Sequence, residues 1–213
     1  MRQGEENPVM SSGIHEIVLG SGSRARREML AAAGVPFTVQ AADVDEPKIR
    51  EQLFEQDANI APKRVAEVLA IAKAEDVSGK RRGSLVIGAD QVLALDAELL
   101  SKAPSIEAAR AALQRLRGRT HELHSAVVLA EDGKVNWTHV ATARLTMRDF
   151  SDAFLDDYLL RAADRVSQTV GAYELEGLGV QLFERIEGDY FTILGLPLLT
   201  LLGELRGRGI IST

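Results

Sequence analysis

Three arginines in one short segment are the residues whose type and spacing most directly suggest chemistry. Arg24, Arg26 and Arg27 follow a glycine- and serine-rich run, residues 20–23, and open a predicted helix. Unpaired backbone N–H groups and the positive end of the helix dipole meet at such a start, and the arginines add full charges. Glycine and serine let the backbone approach an oxyanion closely. The segment therefore predicts an anion site, with phosphate as the expected ligand.

Carboxylates form the second candidate set. Asp43, Asp45 and Glu46 make a D-x-D-E pattern, and Asp90 lies at or just past the apolar strand predicted over residues 85–88. Such oxygens at one sheet edge can hold Mg²⁺ or Mn²⁺, leaving coordination positions for phosphate and an attacking water. The D-x-D-E pattern alone is more typical of a solvated turn, whereas a carboxylate buried without a partner, as expected for Asp90, is costly.

The glycine-rich segment admits other interpretations. Residues 20–25 satisfy G-x-G-x-x-[GA], and Asp43 or Asp45 follows about twenty residues later, as in a dinucleotide-binding fold. Three arginines exceed what a pyrophosphate bridge needs, and the second half of the chain has antiparallel patterning. A Walker P-loop is excluded because G-x-x-x-x-G-K-[ST] does not occur. The carboxylate motifs also weaken a third interpretation, in which the arginines form only a solvated helix face.

The elements that must position these residues follow from periodicity, caps and turn signals. Helices are predicted from Arg24 to residue 33, from Pro62 to about Val77, and over 105–116, 151–161 and 197–205. Residues 79–83 form a predicted basic loop. Strands are predicted over 14–19, 37–41 and 85–88, over 121–130 and 135–145 as a hairpin around an Asp-Gly turn, and as a pair around Gly188 within 180–194.

Composition limits the classes of protein. The 213 residues carry a formal net charge of −6 and no cysteine, which excludes disulfides and thiolate catalysis. The acidic balance argues against stable nucleic-acid binding, and we expect no membrane segment. Residues 1–13 are expected to form a flexible tail before a single domain over 14–213. A cytoplasmic location is expected.

A series of motifs, in order along nearly the whole chain, resembles the Maf-like nucleotide pyrophosphatases. The resemblance implies an α/β fold with an elongated mixed central β-sheet, flanked by helices in two lobes with a cleft, as in inosine-triphosphate pyrophosphatases. It also implies a homodimer and hydrolysis of nucleoside triphosphates to monophosphate and pyrophosphate with a divalent metal. The motifs are Ser21-x-Ser23-x-x-Arg26-Arg27, Asp43-x-Asp45-Glu46, Leu69-Ala-x-x-Lys73-Ala74, Ile87-Gly-Ala-Asp90-Gln-Val, Lys102-x-Pro104, Gly118-Arg-Thr-His121, Gly171-Ala-Tyr173 and Gly195-Leu-Pro197.

The resemblance also implies roles for individual residues. Asp90 would act as general base or water-orienting acid, and whether it accepts a proton or only binds metal stays open. Metal would be held by Asp45, Glu46 and Asp90, a Mg²⁺ or Mn²⁺ site. The phosphate chain would be bound by Ser21, Arg26, Arg27, Lys73 and Lys102, of which the two lysines belong with Asp90 to the catalytic set.

Three positions are implied to set base preference: Ala25, Gln91 and Glu176. The segment around Glu176 is similar to the branch that prefers 7-methyl-GTP. N7-methylation makes guanine cationic, so a carboxylate could counter that charge and accept the base N–H groups, whereas glutamine suits a neutral pyrimidine. A dTTP- or UTP-preferring enzyme of the same family, and a non-catalytic nucleotide-binding regulator of cell division, remain as alternatives. We expect His121 and His124 to be hydrogen-bonded strand residues and Tyr173 to lie near the cleft.

Overall fold

A mixed sheet forms the centre of the molecule. The computed structural model describes residues 16–212, apart from the side chain of Asp164, so the predicted tail over residues 1–13 lies outside them. Within this range seven strands are ordered β2-β1-β3-β5-β6-β7, and β4 pairs with β3. The strands are β1 Ile17–Leu19, β2 Thr38–Val39, β3 Leu85–Leu95, β4 Glu98–Leu100, β5 Thr120–Glu131, β6 Lys134–Met147 and β7 Phe183–Glu187.

Helices cover the sheet, which confirms the predicted α/β class with a mixed central sheet. They are α1 Arg24–Ala32, α2 Glu46–Gln56, α3 Pro62–Lys80, α4 Ile106–Leu116, α5 Asp152–Ala162, α6 Tyr190–Ile193 and α7 Leu198–Gly207. One cluster of buried side chains joins α1 and α7 to β1, β3 and β5, and another joins α3 to β3 and β5. A third fills the space between α4, α5 and the far end of the sheet.

Strand β3 connects two halves of different type. Its first residues pair in parallel with β1, and its remainder pairs antiparallel with β5, which continues into β6 and β7. The β5–β6 hairpin turns at Asp132 and Gly133, whose φ angles of 50° and 79° are the left-handed values that an Asp-Gly turn favours. The predicted hairpin is thus confirmed.

Strand pairing along one edge of β3 is interrupted, and the candidate site lies at this gap. On the side of β1, ladder pairing covers residues 85–87, and β4 resumes pairing only at 93–95. In the part of the chain that the structure describes, residues 88–92 have no strand neighbour on that side. Their carbonyl and N–H groups are therefore available to side chains, in contrast to the continuous β5 ladder opposite.

A glycine brings α3 unusually close to β3. A Cβ at Gly88 would lie 2.6 Å from the carbonyl oxygen of Ala70 and 2.6 Å from the Cβ of Ala74. Asp90 points to the same face of β3 as Gly88, since strand side chains alternate, and Lys73 lies one helical turn from Ala70. The close contact thus brings the Lys73 ammonium to the Asp90 carboxylate.

Several predicted elements were wrong in extent or type. Asp90 lies in the middle of β3, not at its end, because the strand continues into the antiparallel half. Residues 190–193 form a short helix where a strand was predicted, since the Asp189 side chain accepts from the Thr192 N–H and caps it. The second strand is only Thr38–Val39, and the predicted basic loop begins inside α3.

Helix α2 was not predicted at all. Asp45 caps it by accepting from the Lys48 backbone N–H at 3.0 Å, and Pro47 occupies its first turn. The first signal lies inside the D-x-D-E pattern and the second directly after it, at a segment interpreted from the sequence as a candidate metal-binding set.

Candidate active site

The start of α1 is organised by one buried arginine. Arg26 Nε donates to the carbonyl oxygen of Gly195 at 2.8 Å, and Nη1 donates to Ser21 Oγ at 2.9 Å and to the carbonyl oxygen of Ala89 at 3.0 Å. Burial lowers the pKa of the Arg26 guanidinium, an effect that the charges of Asp90 and Glu46 oppose. Arg26 therefore ties the first loop to the interrupted edge of β3 and to the turn after α6.

The other two arginines of the segment do not line the part of the cavity that contains Asp90. Arg24 is exposed and pairs with Glu28 at 2.7 Å, one helical turn along α1. Arg27 is exposed and is not among the residues that line the cavity described below. Ser23 caps the helix by accepting from the Arg26 N–H. Of the paired arginines predicted to bind phosphate, the structure places only Arg26 in the site.

A lysine bridges two carboxylates at the centre of the site. Lys73 Nζ lies 2.6 Å from Asp90 Oδ1 and 2.8 Å from Glu46 Oε1. The Asp90 side chain is 6% exposed, and its second oxygen, Oδ2, is buried with no hydrogen-bond partner among the described residues. An unpaired buried oxygen is costly, so this atom is available to a ligand.

The two carboxylates differ in proton affinity. Burial raises the pKa of Asp90 above its usual range, although the positive charges of Lys73 and Arg26 act in the opposite direction. Glu46 is only partly buried. Burial raises its pKa, but the hydrogen bond and charge of Lys73 and the charges of Arg50 and Lys102 together outweigh this effect, so the pKa of Glu46 is lowered. The more deeply buried group is thus the better proton acceptor.

The predicted metal ligands do not all converge. No three His, Asp or Glu side chains within residues 16–212 are grouped so as to hold an ion. Asp45 is exposed and engaged as the cap of α2. Glu46 and the free Oδ2 of Asp90 nevertheless face one cavity, and carboxylate oxygens are the donors that Mg²⁺ and Mn²⁺ prefer. These two residues fit a divalent ion completed by water and phosphate oxygens, and Asp45 does not.

The side chains meet in a cleft with two connected parts. The inner part encloses about 510 Å³ and contains Asp90, and the outer part encloses about 670 Å³ and contains Ser21. The inner part brings together most of the residues predicted for the site, which are Ala25, Arg26, Glu46, Lys73, Asp90, Gln91, Lys102 and Glu176.

The three predicted specificity residues have different surroundings. Ala25 and Glu176 line both parts of the cleft, and Glu176 is exposed. Gln91 instead uses its amide nitrogen inside the protein, donating to Ser125 Oγ and to the carbonyl oxygens of Thr192 and Ile193, at 2.9–3.1 Å. Gln91 therefore fixes the α6 segment with its amide and presents at most its carbonyl side to the cavity.

Tyr173 lines the inner cavity, in agreement with its predicted position near the cleft. Its hydroxyl is 2.7 Å from His121 Nε2, and both side chains are buried. Burial lowers the pKa of His121 to about 4, so its ring is neutral near pH 7. His124 Nδ1 bonds the Thr142 hydroxyl at 2.9 Å. Both histidines are hydrogen-bonded strand residues, as expected.

Several residues that line the inner cavity were not predicted from the sequence. Arg50 on α2 and residues 168, 169 and 174 also line the inner cavity. The backbone of Lys102 bridges that of Val170, which brings residues 168–170 to the site. Arg50 could have been found from its i, i+4 spacing to Glu46, had α2 been predicted.

The fold and site define an α/β protein with a polar cleft built for a phosphate-bearing ligand. The family model described as "Maf-like protein" matches residues 16–208. A 7-methyl-GTP pyrophosphatase of Brucella abortus biovar 1 (strain 9-941) is 51% identical over 191 residues, covering 90% of this chain and 95% of the relative. A nucleoside triphosphate pyrophosphatase of Paramagnetospirillum magneticum (strain ATCC 700264 / AMB-1) is 52% identical over 192 residues, covering 90% and 98%.

The chain belongs to the Maf family. A 7-methyl-GTP pyrophosphatase of Mesorhizobium japonicum (strain LMG 29417 / CECT 9101 / MAFF 303099) is also 50% identical, over 92% of this chain and 98% of its own length. No helix within residues 16–212 is both long and apolar enough to cross a membrane.

Proposed function

We propose that this protein hydrolyses the α–β phosphoanhydride of nucleoside triphosphates, releasing the monophosphate and pyrophosphate. The observation that carries the proposal is the Lys73 ammonium held between Asp90 and Glu46, with one buried Asp90 oxygen unpaired, in a cavity lined by further cations. Relatives about half identical over nine-tenths of the chain are named for this reaction.

The geometry supports a division of labour among the side chains. The oxygen of a water forms a bond to the α-phosphorus while the bond to the bridging oxygen breaks, and pyrophosphate carries that oxygen away. Asp90 Oδ2 takes the proton of the water, and Lys73 fixes the orientation of the carboxylate through Oδ1. Arg26 and Lys102 add positive charge beside the phosphates, and Ser21 contributes a hydroxyl.

A divalent ion, Mg²⁺ or Mn²⁺, belongs to the proposal as a cofactor. Bound to Glu46 and Asp90, it would supply positive charge to the phosphate oxygens and lower the cost of the developing charge. Asp45 is not part of this ligand set, since it caps α2.

The proposed preferred base is 7-methylguanine. Glu176 is the acidic member of the specificity positions that line both parts of the cleft, and a carboxylate suits a cationic base. The relatives from Brucella abortus and Mesorhizobium japonicum are both named 7-methyl-GTP pyrophosphatases. The proposal extends to a cytoplasmic homodimer, for which sedimentation velocity and cell fractionation are the direct measurements.

The test is pyrophosphate release with Mg²⁺ or Mn²⁺ from 7-methyl-GTP, GTP, dTTP, UTP, CTP and ATP. For Asp90→Asn we expect a fall in kcat of about 10²–10⁴-fold, because the proton acceptor is lost while the shape is kept. Asp96→Asn, at an exposed aspartate paired with Arg119, is the matched control and should keep full activity. Fast release from pyrimidine nucleotides alone would keep the reaction and refute the base preference. No release from any nucleotide would favour a non-catalytic regulator.

A further inference from the structure

Arg50 is the cavity cation that no motif assigned. It lies on α2, its side chain is 25% exposed, and it lines the inner cavity together with Asp90. Its Nε is buried and has no hydrogen-bond partner among the residues that the structure describes. The nearest carboxylate atom recorded for it is Glu46 Oε2, 3.8 Å from Nη2, which is beyond hydrogen-bond distance.

Two other cations of the inner cavity, Arg26 and Lys73, already have partners in the protein. Arg26 has donated to Ser21, Ala89 and Gly195. Lys73 is shared between Asp90 and Glu46, each within 2.8 Å of its Nζ. Arg50 therefore combines a full charge with a buried donor that none of the described residues accepts from. A buried N–H without a partner destabilises the folded protein, and a ligand oxygen would offset that cost.

The position of Arg50 indicates which part of a ligand it would meet. It lines the inner part of the cleft and not the outer part, where Arg24 and Gly177 lie. Within the inner part it follows Glu46 by one helical turn, so it stands on the side of the two carboxylates and Lys73. That side is where the phosphoanhydride must lie if Asp90 is to serve the attacking water.

We propose that Arg50 binds the phosphate chain of the substrate, donating from Nε and Nη to oxygens of the pyrophosphate that leaves. The inference rests on the proposed function for the identity of the ligand. The planar guanidinium matches a pair of phosphate oxygens, which a lysine cannot reproduce. Arg50 is in this view a substrate-binding residue that also stabilises the leaving group.

The test is calorimetric titration of inorganic pyrophosphate and, separately, of GMP, both with Mg²⁺, into the wild-type protein, Arg50→Gln and Arg50→Lys. For Arg50→Gln we expect the pyrophosphate Kd to rise about 10–100-fold, as for loss of a charged hydrogen bond, with the GMP Kd unchanged. Arg50→Lys should recover part of the loss. Arg64→Gln, an exposed arginine on α3 paired with Glu67, is the matched control and should bind both as wild type does.

Each result decides the inference. Pyrophosphate affinity unchanged in Arg50→Gln, equal weakening of pyrophosphate and GMP, or no pyrophosphate binding by the wild type would overturn it. Unchanged circular dichroism and melting temperature show that the variant is folded. Nucleotide hydrolysis is measured independently of these titrations. If Arg50→Gln selectively loses pyrophosphate binding but the wild type hydrolyses no nucleotide, only the proposed function is refuted.

Discussion

Two walls of the cleft differ in how their polar groups are used. On the wall formed by α1 and β3, Arg26 and Gln91 each make three hydrogen bonds to neighbouring protein atoms. On the second wall, formed by α2 and residues 168–176, Arg50 Nε has no partner in the described part of the chain, and Glu176 is exposed. The first wall is a fixed template, whereas the second keeps donors and charges free for a ligand.

This difference teaches that proximity to the cavity does not by itself make a residue a binding group. A buried side chain that makes several hydrogen bonds to the protein stabilises the fold first and influences substrate through position. A side chain with unused donors costs stability until ligand arrives. Substitutions on the first wall should therefore reduce stability, and those on the second should reduce affinity.

The largest expected effect on the fixed wall comes from Arg26→Gln. Its loss removes the Arg26 partner of the Ala89 and Gly195 carbonyl oxygens and one of the two hydrogen bonds to Ser21 Oγ, which predicts a fall of about 3 kcal/mol in the free energy of unfolding. Urea denaturation measures it. Arg27→Gln removes the same charge from an exposed position and should change stability by less than about 0.5 kcal/mol. Equal effects of the two substitutions would contradict the distinction between the walls.

A pH-dependent effect of similar size is expected from His121, a buried residue of β5 whose ring is hydrogen-bonded to the Tyr173 hydroxyl. Its pKa is about 4 in the folded protein and 6.5 when unfolded. The unfolded chain therefore binds the proton first, and stability present above pH 6.5 is lost as the pH falls toward 4, by about 3 kcal/mol in all.

Urea denaturation between pH 4 and 7 measures this contribution as the difference between the wild type and His121→Gln. The difference should shrink as the pH falls. His139→Gln, at a half-buried position on β6, is the control and should leave the pH dependence in place. A His121→Gln curve as steep as that of the wild type would show that other groups set the acid sensitivity.

The smallest effect is expected at Asp45, where a substitution distinguishes a helix cap from a metal ligand. Asp45→Ala removes the hydrogen bond to the Lys48 N–H and should cost about 1 kcal/mol of stability. Pyrophosphate release at saturating Mg²⁺ should change less than twofold below the melting temperature, because Asp45 is outside the carboxylate pair that fits an ion. A large rise in the Mg²⁺ concentration needed for half-maximal rate would return Asp45 to the ligand set.

Local signals predicted much of the fold. The Asp-Gly turn fixed the hairpin, Ser105 and Ser151 marked helix starts, and both caps are observed. At Asp45 the same kind of signal is ambiguous, since a cap and a metal ligand use the same residue type, and the structure shows the cap. The helix at 190–193 was missed because the Asp189 cap was outweighed by an apolar run.

The site was predictable as a set of residues but not as an arrangement. The motifs carried by the resemblance supplied Lys73, Asp90 and Arg26 in sequence. Which donors are free depends on contacts between distant segments, such as Arg26 with Gly195 across 169 positions. Neither that contact nor the interrupted edge of β3 has a local signature in the sequence. Arg50 was not predicted as a site residue because helix α2, which carries it, was not predicted.

The continuity of β3 has a consequence for how the protein comes apart. One eleven-residue strand belongs both to the parallel half and to the antiparallel half, and Asp90 lies within it. Neither half can open without breaking the ladder of a segment that the other also needs, so the two halves share one cooperative transition. We expect catalysis and native structure to disappear together on heating, with no active remnant on the way.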